Sequence, residues 1–160
     1  MSKKLRLRLT NIITDKVLTY TSETWALTKR DRKQLNVFER KVYRRILGPI
    51  YDKEKENWRV LTNKEIYATV TKPTIIETIM LNRLQWFGDV QRMEENRIPK
   101  RVLYTNFGRT RLRSRPRTRW QDGVRVDRKI VGGEGFQEKV HNRGMEEVPY
   151  NHRILHVLME

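Results

Sequence analysis

Arg109, Arg111, Arg113, Arg115, Arg117 and Arg119 alternate with small or β-favouring residues up to Trp120. A period of two is the period of an extended chain, so the guanidinium groups line one side about 6.6 Å apart, two strand rises. Pro116 has no backbone N–H and biases Arg115 towards extended backbone. The ladder uses arginine alone, and the planar guanidinium fork fits phosphate oxygens better than an ammonium does. The chemistry predicted is phosphate neutralisation along a nucleic-acid strand. A solvated basic linker or a nuclear-localisation patch has the same composition.

Other chemistry finds little support. Asp15, Asp31, Asp52, Asp89, Asp122 and Asp127 are dispersed, whereas two-metal phosphoryl transfer needs carboxylates that bridge ions about 3.5–4 Å apart. Glu94–Glu95 and Glu146–Glu147 are neighbours, but adjacent helical residues diverge, so both pairs read as surface charge. His152 and His156 are four apart with no third ligand nearby in sequence, and read as solvated rather than metal-bound. No phosphate-binding GxxxxGK[ST], zinc-binding HExxH or nucleophile-elbow GxSxG pattern occurs. With no cysteine, there is neither a disulfide framework nor a thiolate zinc site. The expectation is a binding module with no catalytic residue, metal site or cofactor of its own.

Composition agrees with that reading. The chain has 160 residues, with 35 Lys+Arg against 19 Asp+Glu and a formal charge of +16. Such an imbalance points to a polyanionic partner, nucleic acid first and an anionic membrane second. Four Trp, six Tyr and four Phe are too many for a purely disordered segment. No run reaches the length of a membrane span, and Lys3, Lys4, Arg6 and Arg8 interrupt any secretory apolar stretch. The expected location is intracellular, nuclear or cytoplasmic.

The positioning elements read as helices. Leu5, Leu9, Ile12, Ile13, Val17 and Tyr20 have helical spacing over 3–22. Residues 29–47 form the clearest helix, with Thr28 and Asp31 as a box-like start and Gly48–Pro49 as its stop. Leu35, Phe38, Val42 and Ile46 are its expected apolar stripe. Its other side carries Lys33, Arg40, Lys41, Arg44 and Arg45 with few acids to balance them, and is read as a second nucleic-acid contact against ordinary solvation. Trp58–Leu61 is a possible short strand. Asn63 is expected to cap a short helix to about Val70, and Pro73 to open a helix running to about Met93. That helix has Ile76, Ile79, Met80, Leu84, Phe87 and Val90 on its inner face. Trp86 lies off the stripe, either as a second packing surface or as an exposed stacking platform. From Asn96 to Gln121 there is no acid, and Arg97, Lys100 and Arg101 precede the ladder. With Arg92 they complete the candidate phosphate contacts. After the ladder, a helix to about Lys129 turns Trp120 and Val124 inward. Asn151–Met159 is weakly helical.

Three blocks in order carry a resemblance. The first is Leu18-Thr19-Tyr20-Thr21-Ser22-Glu23-Thr24-Trp25-Ala26-Leu27-Thr28 with Phe38-Glu39-Arg40-Lys41-Val42-Tyr43-Arg44-Arg45-Ile46-Leu47-Gly48-Pro49. The second is Arg83-Leu84-Gln85-Trp86-Phe87-Gly88-Asp89-Val90-Gln91-Arg92-Met93 with Asn96-Arg97-Ile98-Pro99-Lys100. The third is Arg115-Pro116-Arg117-Thr118-Arg119-Trp120. Over roughly residues 3–130 they resemble the C-terminal part of the endonuclease–reverse transcriptases of non-LTR (LINE-like) retrotransposons. The resemblance implies a helical thumb that grips the template–primer duplex, followed by a post-thumb region that helps hold RNA or target DNA. It places the metal-binding aspartates, and their Mg2+, in a palm upstream of this chain. It also implies that palm as a partner, and a truncated element copy as the origin.

The combined expectation is a mainly α fold: a helical thumb-like domain over 1–95, a basic arginine-rich linker over 96–121 and short C-terminal helices over 122–160. Its function would be to bind RNA or DNA for an RNA-directed DNA polymerase without itself being an enzyme. The alternatives are a basic scaffold for an acidic protein or membrane surface, and a non-functional transposon relic.

Overall fold

A computed structural model describes residues 2–70, 72–105 and 119–132. The architecture is mainly α-helical, with one two-stranded hairpin. The ladder positions Arg109 to Arg117, and the Asn151–Met159 stretch, lie outside the described residues. The described residues fall into two compact units. One comprises those up to Ser22 and Leu27–Ile79; the other comprises Glu23–Ala26 and those from Met80 onward.

In the first unit, α1 (Lys3–Leu9) continues through a π-helical stretch (Thr10–Asp15) into α2 (Lys16–Thr19). Ser2 starts it by accepting a hydrogen bond from the Leu5 N–H at 3.3 Å. The expected helix is present. Leu7 packs towards the core, whereas Leu5, Leu9, Ile12, Ile13, Val17 and Tyr20 remain exposed. Leu5, Leu9, Ile13 and Val17 are four residues apart. On an α-helix each such step drifts by about 40°, and the wider π turn offsets part of that drift, keeping them in one stripe.

The longest helix is α3 (Lys29–Leu47). Thr28 Oγ1 accepts from the Asp31 N–H at 3.2 Å, and Asp31 Oδ2 accepts from the Thr28 N–H at 2.9 Å. This reciprocal cap contributes about 1 kcal/mol. Gly48, with φ +74°, ends the helix in a conformation that disfavours a side chain. The buried face differs from the predicted stripe. Glu39, Tyr43 and Leu47 are buried, while Leu35, Val42 and Ile46 are half-buried and Phe38 is exposed. The apolar count alone mis-phased the helix because a carboxylate occupies the inner face.

Strands β1 (Ile50–Asp52) and β2 (Asn57–Arg59) pair antiparallel, with Tyr51 opposite Trp58. Helix α4 (Asn63–Thr69) follows. Its cap is Thr62 rather than the expected Asn63: Thr62 Oγ1 accepts from the Glu65 N–H, and Glu65 Oε2 accepts from the Thr62 N–H at 2.8 Å. A hydroxyl three residues ahead of a glutamate wins because both orphan backbone donors are then satisfied. Tyr43, Leu47, Leu61, Ile66 and Val70 form the core here.

Helix α5 (Ile75–Arg92) starts two residues after Pro73. Thr74 is the boundary residue. Its N–H donates to Glu77 Oε2 at 2.7 Å, and its Oγ1 accepts from the Glu77 N–H at 3.2 Å. The residues of α5 up to Ile79 belong to the first unit and those from Met80 to the second. Ile76, Ile79, Met80, Leu84 and Val90 are buried and Phe87 half-buried, as the spacing predicted.

The second unit adds α6 (Ile98–Tyr104) and α7 (Trp120–Asp127), the latter continuing as a π-helical stretch (Arg128–Gly132). Leu84 and Val124 form its apolar centre, with Phe87 and Trp120 against them. Trp120 and Val124 do face inward. Residue 95, near which the sequence suggested a boundary, lies between α5 and α6, whereas the two units divide at Ile79–Met80.

Candidate nucleic-acid interface

The strongest charged surface among the described residues belongs to α3. Its sequence supplies Lys29, Arg30, Arg32, Lys33, Arg40, Lys41, Arg44 and Arg45 against only Asp31 and Glu39. Both acids are committed elsewhere. Asp31 caps its own helix, and the Thr28 hydrogen bonds hold its carboxyl below the usual carboxylate range. Glu39 is buried; its Oε1 accepts from the Ile75 N–H at 3.1 Å and its Oε2 from the Tyr67 hydroxyl at 3.5 Å. A carboxylate at the first N–H groups of α5 is favourable for the helix dipole as well as for the orphan donors. Burial, and then the Glu39 charge, push the Tyr67 hydroxyl up to about 12. Apart from Asp31 at its capped start, the charge that α3 leaves facing water is cationic.

The predicted contacts on this helix have different fates. Lys41 and Arg45 are exposed. Arg44 is half-buried; its Nε donates to the Leu61 carbonyl at 3.2 Å and its Nη2 to Asn63 Oδ1 at 2.7 Å. That guanidinium braces the segment between β2 and α4. Arg40 is half-buried, and its charge near the Tyr67 hydroxyl opposes the upward shift there. Lys29, Arg30 and Lys33 add exposed charge along the same helix.

In the second unit, Arg92 Nη2 pairs with Asp89 Oδ1 at 2.5 Å. Lys100 Nζ donates to the Met93 carbonyl at 2.7 Å and ties the start of α6 to the end of α5. Arg97 and Arg101 are exposed. Arg119 is exposed at the N-cap of α7, where its backbone N–H donates to Asp122 Oδ2 at 3.0 Å. Trp86 stands 37 % exposed on α5. Arg109, Arg111, Arg113, Arg115 and Arg117 lie outside the described residues, so only Arg119 of the ladder is placed.

Sequence reasoning missed the polar centre of this unit. Arg83 and Asp127 have fully buried side chains, with Nε 2.7 Å from Oδ2. Arg83 Nη1 also donates to the Trp25 carbonyl at 2.8 Å. Trp120 Nε1 donates to the Glu23 carbonyl at 2.6 Å. Two side chains thus fasten the Glu23–Ala26 segment to α5 and α7. Gly123 is required beside them, because a Cβ there would lie 2.7 Å from Arg83 Nη1. The overlooked signal was Arg83 on the apolar stripe of α5 and Asp127 on the stripe of α7 that begins with Trp120 and Val124.

Among the described residues, no cluster of three or more His, Cys, Asp or Glu is placed to hold a metal ion. None of their helices is long and apolar enough to cross a membrane. No protein-family model, curated protein or solved structure matches the chain.

Proposed function

We propose that this chain is a nucleic-acid-binding module from the thumb and post-thumb part of a non-LTR retrotransposon reverse transcriptase. It grips template–primer or target DNA through phosphate contacts and has no polymerase palm of its own. The observation that carries the reading is the fate of the acids on α3. Asp31 and Glu39 serve backbone caps, which leaves an outward face of Lys29, Arg30, Lys33, Lys41 and Arg45. Binding of this kind is electrostatic and sequence-tolerant, because phosphate contacts position a protein without reading bases. The ladder from Arg109 to Arg119 would extend the phosphate track.

Salt dependence tests it. If about five phosphates are neutralised on a duplex, log K falls with log salt at a slope of about −4.5. Lys41→Gln with Arg45→Gln should flatten that slope by about 1.8, two phosphates' worth. Stability should stay within about 0.5 kcal/mol, since both side chains are exposed. A wild-type slope near zero would overturn the proposal, as would primer extension by the isolated chain.

One observation favours a second reading, a basic module for an acidic protein or anionic lipid surface. The exposed stripe Leu5, Leu9, Ile12, Ile13, Val17 and Tyr20 is accompanied by exposed Lys3, Lys4, Arg6, Arg8 and Lys16. Apolar stripes bordered by cations suit acidic amphipathic partners and anionic interfaces. Competition between a DNA duplex and phosphatidylserine vesicles separates the two readings. Displacement of DNA by vesicles, abolished by Ile13→Asp, would favour the second.

A further inference from the structure

The hairpin β1–β2 carries the most exposed aromatic pair in the first unit. Tyr51 and Trp58 are direct cross-strand neighbours, with ring centroids 5.5 Å apart and planes inclined at 68°. Tyr51 remains 50 % and Trp58 64 % exposed. Leaving two large rings in water forgoes the stabilisation their burial would bring. Each ring limits the movement of the other through the edge-to-face contact. That geometry uses the edge of one ring and one face of the other, so flat aromatic surface stays open.

The surrounding charge selects the occupant. Of the acids around the hairpin, Asp52 and Glu65 are paired with Arg59, and exposed Glu54 and Glu56 are balanced in charge by exposed Lys53 and Lys55 at the turn. The Arg59 guanidinium meets the Glu65 carboxylate through both Nη atoms, at 2.8 and 2.5 Å, and its Nε lies 3.4 Å from Asp52 Oδ2. Exposed Arg45 stands near the end of α3, and Gly48–Pro49 leads directly from that helix into β1. The chain's charge of +16 opposes self-association through this surface. Among the described residues, the exposed apolar side chains nearest in sequence to the rings are Ile50 and Val60, and the hairpin tip Lys53-Glu54-Lys55-Glu56 is charged. Flat, uncharged rings on an anionic backbone match both features.

We infer that Tyr51 and Trp58 form a stacking platform for unpaired nucleobases of a single-stranded nucleic acid whose phosphates lie on the cationic face of α3. The inference rests on the nucleic-acid reading above and adds to it a preference for unpaired strands. Stacking on aromatic side chains is tolerant of base identity, because every base has a π face. A paired duplex offers stacked bases and gains nothing from the platform.

The test uses the full chain with two probes, a 20-nucleotide oligo(dT) strand and the same strand annealed to oligo(dA), at one fixed salt concentration. Trp58→Ala should weaken single-strand affinity at least about fivefold, the lower end for one stacked base, and change duplex affinity less than twofold. Trp58→Tyr should recover most of the loss, and Tyr51→Ala should act in the same direction as Trp58→Ala. A 5-iododeoxyuridine strand irradiated in the complex should cross-link to Tyr51 or Trp58. Equal losses on both probes, or none on either, would overturn the platform while leaving phosphate binding intact. So would a self-association that Trp58→Ala abolishes. Failure of the wild-type chain to bind either probe would overturn the nucleic-acid reading and the platform together. If Trp58→Ala lowers the melting temperature appreciably, Trp58→Tyr and the cross-link decide the matter.

Discussion

On α3 one acid, Glu39, lies inside while Asp31 caps the exposed helix start, whereas between α5 and α7 a cation and an acid lie inside together. Both arrangements remove carboxylates from the surface, but they do different things. Glu39 accepts the Ile75 N–H at the start of α5 and the Tyr67 hydroxyl. Asp127 is neutralised by Arg83, which is then lost to any ligand. How much of a basic sequence becomes basic surface depends on the partners that its acids and its arginines find. In both units the arginine count overstates the binding charge: Arg44 and Arg59 are spent within the first unit, Arg83 and Arg92 within the second.

The largest effect expected is at the buried pair. Asp127→Ala leaves the Arg83 guanidinium buried without its carboxylate and should cost about 3–5 kcal/mol, read by urea denaturation monitored through tryptophan fluorescence. Arg83→Met combined with Asp127→Leu should recover most of that loss, because apolar side chains of similar volume replace a buried pair at little net cost. A double variant no better than Asp127→Ala would mean that the pair supplies more than mutual neutralisation. Gly123→Ala comes next. The new methyl group would press on an arginine held from two sides, at a cost of about 1–3 kcal/mol. An unchanged denaturation midpoint would show that Arg83 has room to move.

The smallest effect contrasts the buried pair with its exposed counterpart, Arg59–Glu65. The Arg59 hydrogen bonds, then those of Thr62, lower the Glu65 carboxyl from 4.5 to about 2. A depressed folded-state value contributes stability that is present above about pH 4.5 and lost as pH falls towards 2. Because the group is exposed, the loss is small. Glu65→Gln should flatten the acid limb of the stability profile in that window, and an unaltered acid limb would sink the assignment.

Helix boundaries set by local chemistry were legible in the sequence. Thr28, Asp31, Gly48 and Pro49 fixed α3 because capping and termination involve neighbours within a few residues. The apolar spacing of α5 was legible for the same reason. Long-range polar pairing was not. Glu39 broke the phase of the α3 stripe, and its destination, the Ile75 N–H, lies 36 residues away. Pro73 read as a first-turn residue, yet Thr74 and Glu77 supply a better start one residue later. Within the candidate interface, Lys41 and Arg45 stayed exposed as expected, while Arg44 turned out to brace Leu61 and Asn63. Whether an arginine meets water or a carbonyl depends on what the chain brings alongside it, which spacing does not encode.

The indole of Trp120 reaches back 97 positions to the carbonyl of Glu23. A contact that distant closes slowly, since chain closure is limited by the entropy of the intervening segment. Every residue of the first unit is synthesised before Trp120 emerges. A nascent or cleaved chain ending short of that residue would carry the cationic helix and the hairpin rings without the tryptophan that fastens Glu23. Order of synthesis thus gives the surface proposed to bind a head start over the lock that completes the other unit.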